Sequence, residues 1–171
     1  MRATLTALSL AAALTALTLP GSASAQGVRA PGGLLDDSPQ ERSQMLSVFG
    51  FLPWGTGFGG AVRYSIPIVP DGFISKLNDS FDLEFGADVY SHWSFNYWGT
   101  IGAAEARWTF QILPKLAAYG KVSLGIRYDR DWGIEPHWDF APGVIFQLND
   151  SLALRGEAGG RGLRAGIGFS F

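Results

Sequence analysis

Ser80 to Tyr90 reads SFDLEFGADVY, and the fold turns on how its charges are spaced. A strand sends successive side chains to opposite faces, so Phe81, Leu83, Phe85, Ala87 and Val89 share one face while Asp82, Glu84 and Asp88 share the other. Three carboxylates on one side of a strand, opposite an unbroken apolar row, suit a wall with lipid on one side and a polar lumen on the other.

The same alternation recurs downstream. Ala106, Trp108, Phe110 and Ile112 oppose Glu105, Arg107, Thr109 and Gln111. Val122, Leu124, Ile126 and Tyr128 oppose Lys121, Ser123 and Arg127, and Leu163, Ala165, Ile167, Phe169 and Phe171 oppose Arg164 and Ser170. With turn signals between the segments, the expected strands are Gln44–Leu52, Thr56–Ile68, Ser80–Tyr90, Gly99–Ile112, Lys115–Tyr128, His137–Leu148, Ser151–Gly159 and Leu163–Phe171. The first is the least regular, because MLSVFGFL is apolar at nearly every position. No long amphipathic helix interrupts the series. The class is therefore all-β, an antiparallel up-and-down transmembrane β-barrel of about eight strands. The inverted alternative, a soluble lipocalin-like barrel, would have to bury Trp108, Phe110, Phe169 and Phe171 in a narrow lumen.

Outside the strands, Arg2, an apolar stretch from Leu5 to Leu19 and the small residues Ala23 and Ala25 form a secretory signal peptide over 1–25. Its apolar stretch is shorter than the roughly 20 residues that span a bilayer as a helix. Residues 26–43, polar and broken by Pro and Gly, read as a flexible N-terminal extension, and 44–171 as the barrel domain. Cysteine is absent, which excludes a lipoprotein anchor, disulfides, a thiolate nucleophile and a Cys-based zinc site. There are 13 Lys and Arg, one of them Arg2 in the leader, against 15 Asp and Glu, so the mature chain carries −3. That balance, with no basic run, gives no electrostatic reason to expect nucleic acid. The 23 glycines and 23 aromatics (12 Phe, 6 Trp, 5 Tyr) beside only 16% charged residues also suit a membrane barrel.

The connections give the barrel an orientation. Leu113-Pro114 and Asn149-Asp150 are tight turns on the side of the termini, expected to be periplasmic. The connection from Val69 to Asp79 on that side is longer and is expected to hold a short interfacial helix carrying Phe73, Ile74 and Leu77. Trp54, Trp93, Trp98, Trp132 and Trp138 fall at or beside the opposite connections, as an aromatic girdle at one membrane interface would require. Only Trp108 lies within a strand near the other end.

By parity Asp82, Glu84, Asp88, Glu105, Asp139 and Glu157 point inward, together with Arg63, Arg107, Lys121, Arg127, Arg155 and Arg164. The interior of eight strands is just wide enough for side chains to fill it. Six charges of each sign therefore predict a salt-bridged, closed interior, whereas a selective pore would carry a surplus of one sign.

The chain ends GLRAGIGFSF, an alternating strand closing on Phe171. This ending, with the leader and the strand pattern, resembles the small eight-stranded outer-membrane barrels, the class of the OmpA transmembrane domain and OmpX. The resemblance is architectural and names no subfamily. It implies an outer-membrane location in a Gram-negative-type bacterium, a monomeric barrel surrounded by outer-membrane lipid and lipopolysaccharide, and Phe171 as the assembly signal read by the barrel-assembly machinery. It implies no cofactor, and the fold alone carries no activity.

One string looks catalytic. His92-Trp93-Ser94 resembles the His-x-Ser of PagL-type lipid A deacylases, where histidine takes the serine proton and a carboxylate, here Glu105, would orient the imidazole. Three departures weigh against it: the string lies near the third strand and not towards the C-terminus, Phe95 replaces the asparagine after the serine, and His92 and Ser94 share the inward parity of Asp82. His137 near Asp129, Asp131, Glu135 and Asp139 has no metal-ligand spacing and reads as part of a solvated loop. The glycines of GTGFGG and GEAGGRG sit in strands or tight turns, not in a phosphate-cradling loop.

Overall fold

The computed structural model describes residues 27–55, 57–92, 97–131 and 133–171. The leader, together with Trp93, Ser94 and Trp132, lies outside the described residues. Eight strands run in order: β1 (Met45–Pro53), β2 (Gly57–Val69), β3 (Asp79–His92), β4 (Tyr97–Leu113), β5 (Leu116–Asp129), β6 (Gly133–Asn149), β7 (Leu152–Gly159) and β8 (Gly162–Ser170). Each pairs antiparallel with its neighbours in sequence, and β1 pairs with β8, closing the barrel.

Burial alternates with the inside polar. On β1 the pattern is strict, buried at Met45, Ser47, Phe49, Phe51 and Pro53 and exposed between them. The irregularity seen in sequence arises because β1 is apolar on both faces: Phe49 and Phe51 point inward, where the guanidinium groups of Arg155 and Arg164 lie over their rings at 5.0 and 4.6 Å. Outward, Val48, Val62, Phe85, Val122, Leu124, Phe140, Leu154 and Ile167 are exposed and form an apolar belt.

Following the strand register once round the wall returns to β1 displaced by about ten residues, which fixes a strand tilt of roughly 40°. At about 3.3 Å per residue, ten tilted residues span ~25 Å of barrel height, the height of a membrane barrel's apolar band.

Two expectations about the connections change. The Val69–Asp79 connection holds turns and bends and no helix. Asp79 organises it instead, its carboxylate accepting the backbone N–H groups of Phe73 (3.0 Å) and Ile74 (3.4 Å). The turn before them needs Gly72 at φ 63°, a conformation open mainly to glycine. On the opposite rim, β6 begins at Gly133, so Glu135, Pro136 and His137 belong to a strand and not to a loop.

The far rim, away from the termini, is stepped. Its hairpins close on their own register, Asp129 opposite Gly133 and Gly159 opposite Gly162, so the rim climbs from strand to strand and drops once. The drop falls between β6 and β7, which pair only from Gly143↔Glu157 to Asn149↔Leu152. Continuing that register puts Gly159 level with Ala141, and β6 runs on for about eight further residues with β5 on one side only, ~15–20 Å of one-sided wall. Pro136 lies on this stretch, where a strand edge tolerates a missing N–H, and Pro142 lies just below it, where the β6–β7 pairing ends.

Candidate functional site

The expected inward charges meet inside the barrel. Five carboxylates, Asp82, Glu84, Asp88, Glu105 and Glu157, and five cations, Arg63, Arg107, Lys121, Arg155 and Arg164, form one continuous ion-pair network, every member at most 5% exposed. Glu84 and Glu105 stand directly opposite each other on β3 and β4, a like-charge pairing that needs compensation. The compensation comes from shared cations. Lys121 Nζ lies 2.7 Å from Glu105, 2.8 Å from Glu157 and 3.9 Å from Glu84. Arg155 lies 2.9 Å from Glu84 and 3.1 Å from Glu157, and Arg107 pairs with Glu84 and, at 3.3 Å, with Asp82.

Above this layer Arg63 bridges Asp88 (2.5 Å) and Glu105 (3.0 Å), and Arg164 reaches the other Asp88 oxygen at 2.5 Å. Arg63 has room because its register partner is Gly86: a Cβ there would stand 2.7 Å from Arg63 Cδ. Neutral donors complete the carboxylate shells, Ser65 to Glu84 at 2.6 Å, Ser123 to Glu105 at 2.9 Å and Tyr119 to Glu157 at 2.8 Å. Below, Met45, Ala117, Tyr119, Ile145 and Ala153 form an apolar layer towards the termini.

Two of the twelve expected members stand apart. Arg127, nearer the far rim, pairs with Asp129 at 2.8 Å and with Glu135. Asp139 is buried but accepts the backbone N–H of Gly160 at 2.8 Å. The sequence reading missed Asp129, His137 and Asp79 as buried groups. Asp129 is 3% exposed and accepts the Tyr90 hydroxyl at 2.6 Å, and His137 accepts the Arg161 Nε–H at 3.3 Å. Asp79 carries outward parity, yet it is 1% exposed because Phe73 and Trp108 cover it, the Trp108 indole donating at 2.7 Å. Among the described residues no cluster of three or more His, Asp or Glu is arranged for a metal.

The catalytic trio is not assembled. Glu105 pairs with Glu84 across β3 and β4, whereas His92 lies eight residues farther along β3, opposite Tyr97, about 26 Å along the strand. Glu105 is also fully engaged by Arg63, Lys121 and Ser123. Ser94 lies outside the described residues.

Of the girdle tryptophans that are described, Trp54, Trp98 and Trp138 are exposed. Trp54 sits at the far rim with its indole donating to Gly159 O at 3.0 Å, and Trp98 packs on Tyr128. Trp138 lies inside β6 because that strand starts early, on its one-sided stretch. Phe171 is exposed, stacks on Tyr64 and donates its N–H to Gln44 O at 3.1 Å.

Both rims carry clefts. At the near rim, residues 27–44 run beneath the mouth, joined by Asn78 N–H to Leu34 O (2.8 Å), Gln40 N–H to Asp71 (3.2 Å) and Arg42 to Asn78. They help enclose a polar vestibule of about 420 Å³ floored by Asp82, Arg107 and Thr109. At the far rim a cleft of about 570 Å³ lies over the β7–β8 hairpin, between the end of β1, the inner face of β3 and the one-sided stretch of β6.

No protein-family model and no curated protein matches this chain. Among solved structures it is similar to a de novo designed transmembrane β-barrel, at 16% identity and a TM-score of 0.51, over 78% of this chain and all of the other. The fold is that of a transmembrane β-barrel. A designed barrel has no natural function to transfer, so anything further must come from the residues.

Proposed function

We propose that this protein is an integral outer-membrane barrel with a closed, charge-neutral interior, acting as a structural or surface-interaction element and not as an enzyme or an open pore. The observation that carries the reading is the ten-member network. Five charges of each sign, all buried, fill the middle of the lumen, and each cation bridges two or more carboxylates. Such a filling supports a rigid plug, because a conducting path needs a water-filled route and a selective one needs a surplus of one sign.

The apolar belt and the ~25 Å band height support insertion in a bilayer, and the leader-like pattern of residues 1–25 and the alternating, aromatic-bearing strand GLRAGIGFSF support the outer membrane of a Gram-negative-type cell. The resemblance to the OmpA and OmpX class, the monomeric state and contact with lipopolysaccharide and the barrel-assembly machinery belong to the same proposal. The test is planar-bilayer recording with the refolded mature chain: the reading expects no steady conductance, and a reproducible ohmic step would overturn the plug.

A further inference from the structure

The far-rim step leaves a gap in the wall with a cleft directly behind it. Among the described residues, Gly133–Pro142 of β6 has no strand partner on its β7 side. The hairpin tip below is tied to that edge by side chains, Gly160 N–H to Asp139 and Arg161 Nε to His137. An open strand edge normally recruits another strand. Here Pro136 and Pro142 share one parity and both are paired with β5, so their missing donors fall on the β7 side: Pro142 marks the end of the β6–β7 ladder and Pro136 lies on the open edge beyond it. Edge prolines are a means of discouraging strand addition. The gap is therefore built to stay open rather than to be closed by a second copy.

What lines it has a definite chemistry. Trp54 and Trp138 border it, Phe51 and Tyr90 supply apolar rings packed edge to face at 6.0 Å, and Arg161 lies on the lining with His92 and with Asp139, whose carboxylate is engaged by the Gly160 N–H at 2.8 Å. No carboxylate among the described residues lies within ion-pairing distance of Arg161, unlike the cations of the lumen network. At about 570 Å³ the cleft is within the range of small-molecule sites, and a lateral gap in a membrane barrel opens towards lipid.

We propose that this cleft binds a single-chain amphiphile with an anionic head group, entering sideways from the membrane through the β6–β7 gap. The head is held by Arg161 and the chain lies between Trp54 and Trp138 against Phe51. The inference rests on the membrane-barrel reading above.

The probe is 9,10-dibromostearate, whose bromines quench nearby indoles, added to the mature chain folded in a nonionic detergent. Heat-dependent gel mobility is checked on the same samples, so that loss of the barrel is distinguished from loss of binding. The expected result is saturable quenching that disappears in the Trp54→Phe, Trp138→Phe double variant. Arg161→Gln should weaken it about tenfold or more, as expected for a lost charge-assisted hydrogen bond, and the dibromostearate methyl ester should bind the unmodified chain with the weakened affinity. Competition separates the sources of the anion: dodecyl phosphate should displace the probe and inorganic phosphate should not. Non-saturable quenching in a correctly folded barrel, equal binding of acid and ester, or displacement by inorganic phosphate alone would each overturn the proposal.

Discussion

Glu84→Gln isolates the energetics of the lumen. Glu84 is 0% exposed and is shared by Arg107, Arg155 and Lys121, with Ser65 donating a further hydrogen bond. The substitution keeps the shape and the Ser65 contact but leaves four carboxylates facing five cations in a space closed to water. Removing one member of a buried ion-pair set costs about 3–5 kcal/mol, because the remaining charge is stranded. With a urea dependence of roughly 2 kcal/mol per molar, the unfolding midpoint of the barrel in lipid vesicles falls by about 1.5–2.5 M. Glu84→Gln combined with Arg155→Gln restores neutrality at four against four. The double variant should be more stable than the sum of the single losses by about 0.5–3 kcal/mol. Tryptophan fluorescence against urea measures all three. A single-variant midpoint within about 0.3 M of the parent, or strictly additive losses, would refute the claim that the network acts as a unit.

Other perturbations read the outer face and the near rim. Val122, half exposed in the middle of β5, faces lipid in this account. Val122→Arg should cost about 2–4 kcal/mol in vesicles, and an unchanged midpoint there would contradict the assignment of faces. Asp79→Ala removes the acceptor for the Trp108 indole and the Phe73 N–H. It should cost about 1–3 kcal/mol and speed tryptic cleavage after Lys76 in the same connection, whereas cleavage at the parent rate would show that Asp79 does not hold that segment.

The architecture was legible because a membrane barrel writes its two environments into alternate residues. SFDLEFGADVY states both faces of β3, and the inward parity of Asp82, Glu84 and Asp88 needed no tertiary information. Membership of the network was legible for the same reason, but its connectivity was not. Which cation serves Glu84 depends on the stagger of β7 against β3, and parity carries no stagger.

The residues misread as loop, Asp129 and Gly133 to Pro136, failed for a specific reason. Pro136 and the charges around it argue against a paired central strand, and that argument does not apply to an edge. The one clue in the sequence was the shortness of the seventh segment, since a β7 of 8 residues beside a β6 of 17 forces a step in the wall. Phe49 and Phe51 blurred β1 because an interior rich in arginine uses aromatic rings as packing surfaces, so polarity alone does not mark the inside. Asp79 was invisible because the residues that cover it, Phe73 and Trp108, arrive from a turn and from another strand.

The central claim is a closed barrel that is polar within and apolar without. The most direct test is to compare the mature chain, purified in detergent, boiled and unboiled on a denaturing gel, alongside its far-UV circular dichroism. The account predicts a faster-migrating unboiled band with β-rich dichroism that converts to the slower band on heating. A chain that is soluble and folded without detergent, with one mobility before and after boiling, would contradict it.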